Sequence, residues 1–180
     1  MSSGSELHDY IRILLESSNW SIQNLTDRFC LKEHKNYHNI NAIITSWSAL
    51  EAFVNLILVI SRPAPKLESH EVAFLEEKEW KLKDDGEFEC VKAYQSTAKK
   101  ILFILNRFSD HRAKKFKQQV LWNNLKRAEE YRNNLIHPKG KITARDYGSK
   151  ASIFVNETVR DVIKFLNTKT LKIRRLPYPV

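Results

Sequence analysis

Apolar residues recur at steps of three and four along most of this chain, the spacing that gathers them on one face of an α-helix. Leu7, Ile11, Leu14 and Leu15 predict a first helix over about residues 5–18, followed by a less regular stretch through Trp20 and Phe29. The strongest run is Ile40, Ile43, Ile44, Trp47, Leu50, Phe53, Val54, Ile57 and Ile60. It predicts a long core helix that stops at Pro63 and Pro65, which cannot continue it. Leu67 to Lys83 is charged and reads as helix up to the turn signal Asp84-Asp85-Gly86. Phe88, Val91, Tyr94, Ala98, Ile101, Leu105 and Phe108 then predict one long amphipathic helix. A basic connector leads to a helix over about 115–136, and Val155, Val159, Ile163 and Leu166 predict a last helix near 152–167. The basic, proline-containing tail, about 169–180, reads as extended. With no internal repeat, the expectation is an all-α bundle of about five to six helices, forming one domain over residues 1–180.

Composition agrees with a globular chain: 42% of residues are apolar and 28% charged. Only 4 glycines occur, too few for the many tight turns of an all-β fold. Cys30 and Cys90 make neither a metal spacing nor a disulfide framework, which suits a reduced, cytoplasmic protein. The first ten residues lack the basic and apolar regions of a signal peptide. Ala42 to Ile60 has the length of a membrane span but carries Glu51 and Asn55 near its middle. A charge there is costly in lipid, so a core helix is the reading and no membrane is expected.

The net charge of +9 is uneven. Residues 111–150 carry 11 Lys/Arg against 3 Asp/Glu, whereas residues 1–110 are net −3. That segment either attracts an anionic partner or is simply a solvated basic face.

Within it lies Tyr131-Arg132-Asn133-Asn134-Leu135-Ile136-His137-Pro138. The apolar stepping Leu121, Leu125, Ala128 continues to Arg132 and Leu135, which puts an arginine on the core or interface stripe. A guanidinium there needs a partner or a wet cleft, because an unpaired buried charge is too costly. Pro138 disfavours helix at His137. Five helical steps would turn His137 about 140° away from Arg132. A helix that breaks at the histidine lets its ring turn back. On the core helix, Ser48, Glu51 and Asn55 form one polar stripe. Two readings stay open: a solvent-facing stripe, favoured for Asn55, and a pairing of Glu51 with Arg132.

Arg132-Asn133-x-x-x-His137 is an instance of the R-x(4–6)-H motif and resembles the HEPN superfamily (higher eukaryote and prokaryote nucleotide-binding domain). The resemblance implies a helical bundle with the motif at the end of a late helix. It further implies a metal-independent endoribonuclease of toxin–antitoxin or antiphage systems. The helix holding Ala49 to Ile57 is similar to the one that supplies an accessory acidic residue in such domains, here Glu51. By this resemblance His137 is general acid/base, Arg132 clamps phosphate, and Asn133 orients the histidine or contacts substrate. Lys139, Lys141 and Arg145 would grip flanking phosphates. The partners implied are RNA, a second copy that brings two Arg/His pairs around one cleft, and an antitoxin or other regulatory protein. In one subclass a tyrosine two residues after the histidine is modified by the antitoxin. Lys139 stands there, which argues for a different antitoxin or none.

No Cys/His cluster, no H-E-x-x-H and no glycine-rich phosphate loop occurs, so no metal and no cofactor is expected. RNA cleavage without metal can use the ribose 2′-OH as nucleophile. A histidine, with an ordinary pKa of about 6.5, moves the protons, and an arginine stabilises the phosphorane charge. Two rival readings share the fold: a module that holds a nucleotide or RNA without cutting it, and a structural bundle that docks an acidic protein.

Overall fold

The computed structural model describes residues 4–26, 30–61, 67–137, 148–178 and 180. Its elements are α1 (Gly4–Thr26), α2 (Lys32–Ser61), α3 (Ser69–Leu75), β1 (Lys78–Leu82), β2 (Phe88–Lys92), α4 (Thr97–Phe108), α5 (Ala113–Lys117), α6 (Val120–Ile136) and α7 (Ser149–Lys169). The expected all-α bundle is present, with one small antiparallel hairpin, β1–β2, added to it.

Helix α2 is the axis of the bundle. Its Ile43, Leu50, Phe53, Leu56 and Ile57 are fully buried, each contributing about 1.5–3 kcal/mol relative to exposure. It packs most extensively on α1 and α7, and also meets α4 and α6. The stretch Glu33–Ser61 is long and apolar enough to cross a membrane by length and composition, yet most of its apolar window is buried inside the bundle.

Polar pairs set the helix register. Ser18 and Ser46 hydroxyls lie 2.7 Å apart in the core, and Asn156 Nδ2 donates to both, at 2.7 and 3.2 Å. Arg160 Nε in turn donates to Asn156 Oδ1 at 2.9 Å. These bonds also explain why α1 is longer than predicted. The helix continues from 18 to Thr26 on a face whose buried positions are Ser18 and Ser21, not hydrocarbons. Trp20 therefore lies on helix, not in an irregular stretch, while Phe29 lies outside the described residues.

The largest correction falls between 67 and 108. Two helices are predicted there, and the chain instead forms α3, the hairpin and α4. Helix α3 ends because Glu77 enters the left-handed region at φ 54°. The chain reverses at Gly86, whose φ of 84° suits glycine, and the Gly86 amide donates to Lys83 O at 3.0 Å. Phe88, Val91 and Tyr94 imitate a helical face by spacing, but the first two lie on β2 and Tyr94 in the link beyond it. Helix α4 starts later, where Ser96 Oγ accepts from Lys99 N at 3.3 Å.

Helix α6 is likewise shorter than expected. The basic connector forms α5, whose buried Phe116 stacks on Phe165 with ring centroids 4.9 Å apart. Helix α7 extends to Lys169, and Asn167 bonds both ways with Ile173, at 2.8 and 3.2 Å. The tail, expected to be extended, instead turns at 170–171 and bends further on, with Lys172 at φ 55°, and it folds back on the bundle: Tyr178 is 5% exposed and lies against Phe53.

A candidate functional cleft around Arg132 and His137

On α6, Leu125 and Ala128 are fully buried and Glu129 nearly so, with the Glu129 carboxylate paired to Lys126. One turn on, the same face delivers Arg132, whose side chain keeps 21% of its exposure. Its guanidinium meets α2 there. Arg132 Nη2 lies 3.7 Å from Glu51 Oε1, the pairing expected from the two polar anomalies. The same Glu51 oxygen accepts from Trp47 Nε1 at 2.9 Å and from Thr97 Oγ1 at 3.3 Å. Three elements, α2, α4 and α6, thus converge on one carboxylate oxygen. A solvent-facing stripe describes only part of the set: Asn55 is exposed, and Ser48 is partly so.

Helix α6 ends at Ile136, and His137 takes φ −126° and ψ 69°, outside the helical region. The break predicted before Pro138 is therefore present, although Pro138 itself lies outside the described residues. The His137 amide still donates to Asn133 O at 2.8 Å, and its side chain is exposed. Arg132, Asn133 and His137 line one cleft of about 510 Å³ together with Trp47, Tyr94 and Glu129. A smaller cleft of about 260 Å³ opens on the other side of Arg132, where Glu51 and Asn55 face Glu77 and Lys100. Lys100 Nζ and Glu77 Oε1 are 2.7 Å apart. Arg132 and Tyr94 border both spaces.

Asn133, expected to orient the histidine or contact substrate, lines the cleft beside both Arg132 and His137. Its side-chain carbonyl accepts from Arg132 Nη1 at 3.1 Å, so within the motif it braces the arginine. Lys139, Lys141 and Arg145 lie outside the described residues. Among the described residues no group of three or more His, Cys, Asp or Glu is placed to hold a metal.

Sequence reasoning missed Tyr94, Trp47 and Thr97 as parts of this site. Trp47 and Tyr94 both sat in apolar runs that read as core, and only the junction of β2, α4 and α2 turns them toward the cleft. The four-residue spacing of Trp47 and Glu51 on α2 was a usable signal, since it places both on one face.

Chemically, the cleft offers a braced guanidinium, an exposed imidazole and an exposed aromatic ring within one concave surface. That set suits an anionic, planar ligand such as a nucleotide. Comparisons with protein-family models, curated proteins and solved structures found no match.

Proposed function

We propose that this chain is a metal-independent endoribonuclease of the HEPN type, serving a toxin–antitoxin or antiphage role. The observation that carries the proposal is the Arg132–Glu51 pair at the wall of a cleft that His137 also lines. Glu51 and Asn133 are positioning residues: the first anchors one guanidinium nitrogen and the second another. Arg132 then has N–H groups aimed at phosphate oxygens with its side-chain entropy already lost.

In the proposed step the ribose 2′-oxygen attacks the adjacent phosphorus and its proton passes to a base. The P–O5′ bond breaks, and an acid protonates the departing 5′-oxygen. The products are a 2′,3′-cyclic phosphate and a 5′-OH end. One imidazole fits one of these proton transfers, and a second copy of the chain would supply the other.

A non-catalytic reading has one observation in its favour. The Arg132 charge is already matched by Glu51, an arrangement that also suits holding a nucleotide without turnover.

The test is incubation of purified protein with structured and single-stranded RNA in EDTA, with mapping of product ends. Arg132→Ala and His137→Ala should each slow cleavage by about 100-fold or more. Intact RNA with salt-sensitive binding that needs Arg132 would select the binding module instead.

A further inference from the structure

The hairpin is unlike the rest of the molecule. Every residue of β1 is exposed, and Trp80, Leu82 and Phe88 are each at least 64% exposed. The register pairs Trp80 with Cys90 and Leu82 with Phe88, so these four side chains share one face of the ribbon. Glu79, Lys81 and Glu89 alternate onto the other. A solitary two-stranded ribbon is marginal in water, and an aromatic edge strand is a ready template for further pairing.

Backbone bonds show which groups of β1 are unpaired. Ala93 N donates to Glu77 O at 2.7 Å and Lys83 N to Glu87 O at 2.8 Å. Bonded pairs alternate in an antiparallel ladder, so 79 and 81 point their backbone groups at β2. Lys78, Trp80 and Leu82 point theirs outward, and among the described residues no further strand meets them.

We propose that this edge is a homodimer interface, in which two copies pair their β1 strands antiparallel about a two-fold axis at Trp80. The charges select that register. An outward-facing residue must meet an outward-facing residue, so the axis falls on a residue, and an overlap of at least three residues of the 78–82 strand limits it to 79, 80 or 81. An axis at 79 sets Glu79 against Glu79, and one at 81 sets Lys81 against Lys81. Only the axis at Trp80 sets Glu79 of each copy opposite Lys81 of the other, so that these two residues, which pair with each other at 2.9 Å within one copy, also pair across the axis. Those are non-hydrogen-bonded positions, where cross-strand side chains come closest.

The two Trp80 rings become direct cross-strand neighbours, and their backbone N–H and C=O groups bond to each other across the axis. The outer edge of β2 has no such complementarity. An axis at Cys90 sets Glu89 against Val91, an axis at Glu89 opposes like charges, and an axis at Val91 sets Val91 against itself and Cys90 against Lys92, with no ion pair. The isologous arrangement is the commonest oligomer symmetry, and it closes, so the exposed strand is consumed without forming a fibre.

The base of the hairpin borders the functional cleft, since Glu77 and Tyr94 flank the strands and line the space beside Arg132. The interface itself stands on the hairpin's chemistry and does not depend on ribonuclease activity.

The experiment is sedimentation of the full chain, without RNA, across a concentration series. The wild type should show a monomer–dimer equilibrium. Glu79→Lys or Lys81→Glu alone should weaken it by about tenfold or more, because each turns two attractive pairs repulsive. Placing both substitutions in one chain should restore the dimer. Mixing the two single variants should give a heterodimer, since one then carries only lysines and the other only glutamates at these positions. A wild type that stays monomeric, or a dimer indifferent to both single substitutions, overturns the proposal. A monomer whose mass shifts only when single-stranded RNA is added overturns it too, and assigns the aromatic face to nucleic acid.

Discussion

Glu51 meets three partners with a single oxygen: it forms an ion pair with Arg132 and accepts from Thr97 and from the indole N–H of Trp47, which is 2% exposed. Removing that carboxylate leaves a buried donor without its acceptor, a loss worth about 1–3 kcal/mol. Glu51→Ala should therefore lower stability in urea unfolding, whereas Glu51→Gln, which keeps an oxygen for Trp47, should fall less. A Glu51→Ala protein as stable as the wild type would mean that water replaces the carboxylate. At a second residue, His111, burial lowers the pKa from its ordinary 6.5, and Lys169 and Lys115 push the same way. The ring is held edge-on to Phe165, with centroids 5.1 Å apart. The folded state favours the neutral ring, so the unfolded chain binds the proton more readily. That contribution to stability is complete above about pH 6.5 and is lost as pH falls toward the lower folded value. Unfolding midpoints measured on both sides of this range should drop on acidification, and drop less in His111→Asn.

At the scale of elements, the hairpin and the bundle are separable. No strand residue of β1 is buried, and the turn depends on Gly86 at φ 84°. A Cβ added there meets no atom within 4 Å, so the cost of a side chain is conformational alone. Gly86→Val should weaken the hairpin by about 1–2 kcal/mol, the penalty of a left-handed non-glycine residue. Hydrogen exchange should show faster opening across 78–92, while the thermal midpoint of the bundle stays put. A lowered bundle midpoint would show that the strands are coupled to the core. The helices differ in kind: α2 is secured by hydrocarbon burial, whereas α1 and α7 take their register on it from the Ser18–Ser46–Asn156 bonds.

Across the whole molecule the tail closes the structure. Tyr178 joins the last residues of the chain to Phe53 on α2 and His8 on α1. Its hydroxyl is buried and, among the described residues, has no hydrogen-bond partner, and burial pushes its ionisation far up. Tyr178→Phe should be neutral or stabilising by up to about 1 kcal/mol, since it deletes an unmet polar group. Tyr178→Ala should cost about 3–5 kcal/mol, the range for emptying an aromatic site. Denaturant midpoints of the two variants check this. Equal losses would mean that the hydroxyl, and not the ring, holds the tail.

The residue pattern alone determined the all-α class, the core helix carrying Ile43 to Ile57, and the break at His137. Helical periodicity and the steric effect of proline act over a few residues and need no neighbours. Pattern alone also offered Glu51 as a partner for Arg132, because an ion on an apolar stripe needs a counter-ion, but it left a solvent-facing stripe equally open until the fold brought the two side chains together. Tertiary structure alone decided the hairpin, since Phe88, Val91 and Tyr94 satisfy a helical spacing equally well and only the Glu77 and Gly86 backbone conformations exclude it. It alone decided the full length of α1, whose buried face beyond Leu15 is built from serines that look solvated until Asn156 arrives from α7. It decided, finally, that Tyr94 and Trp47 border the cleft and that Asn133 braces the arginine. Those are contacts between segments far apart in sequence, and no local rule of spacing contains them.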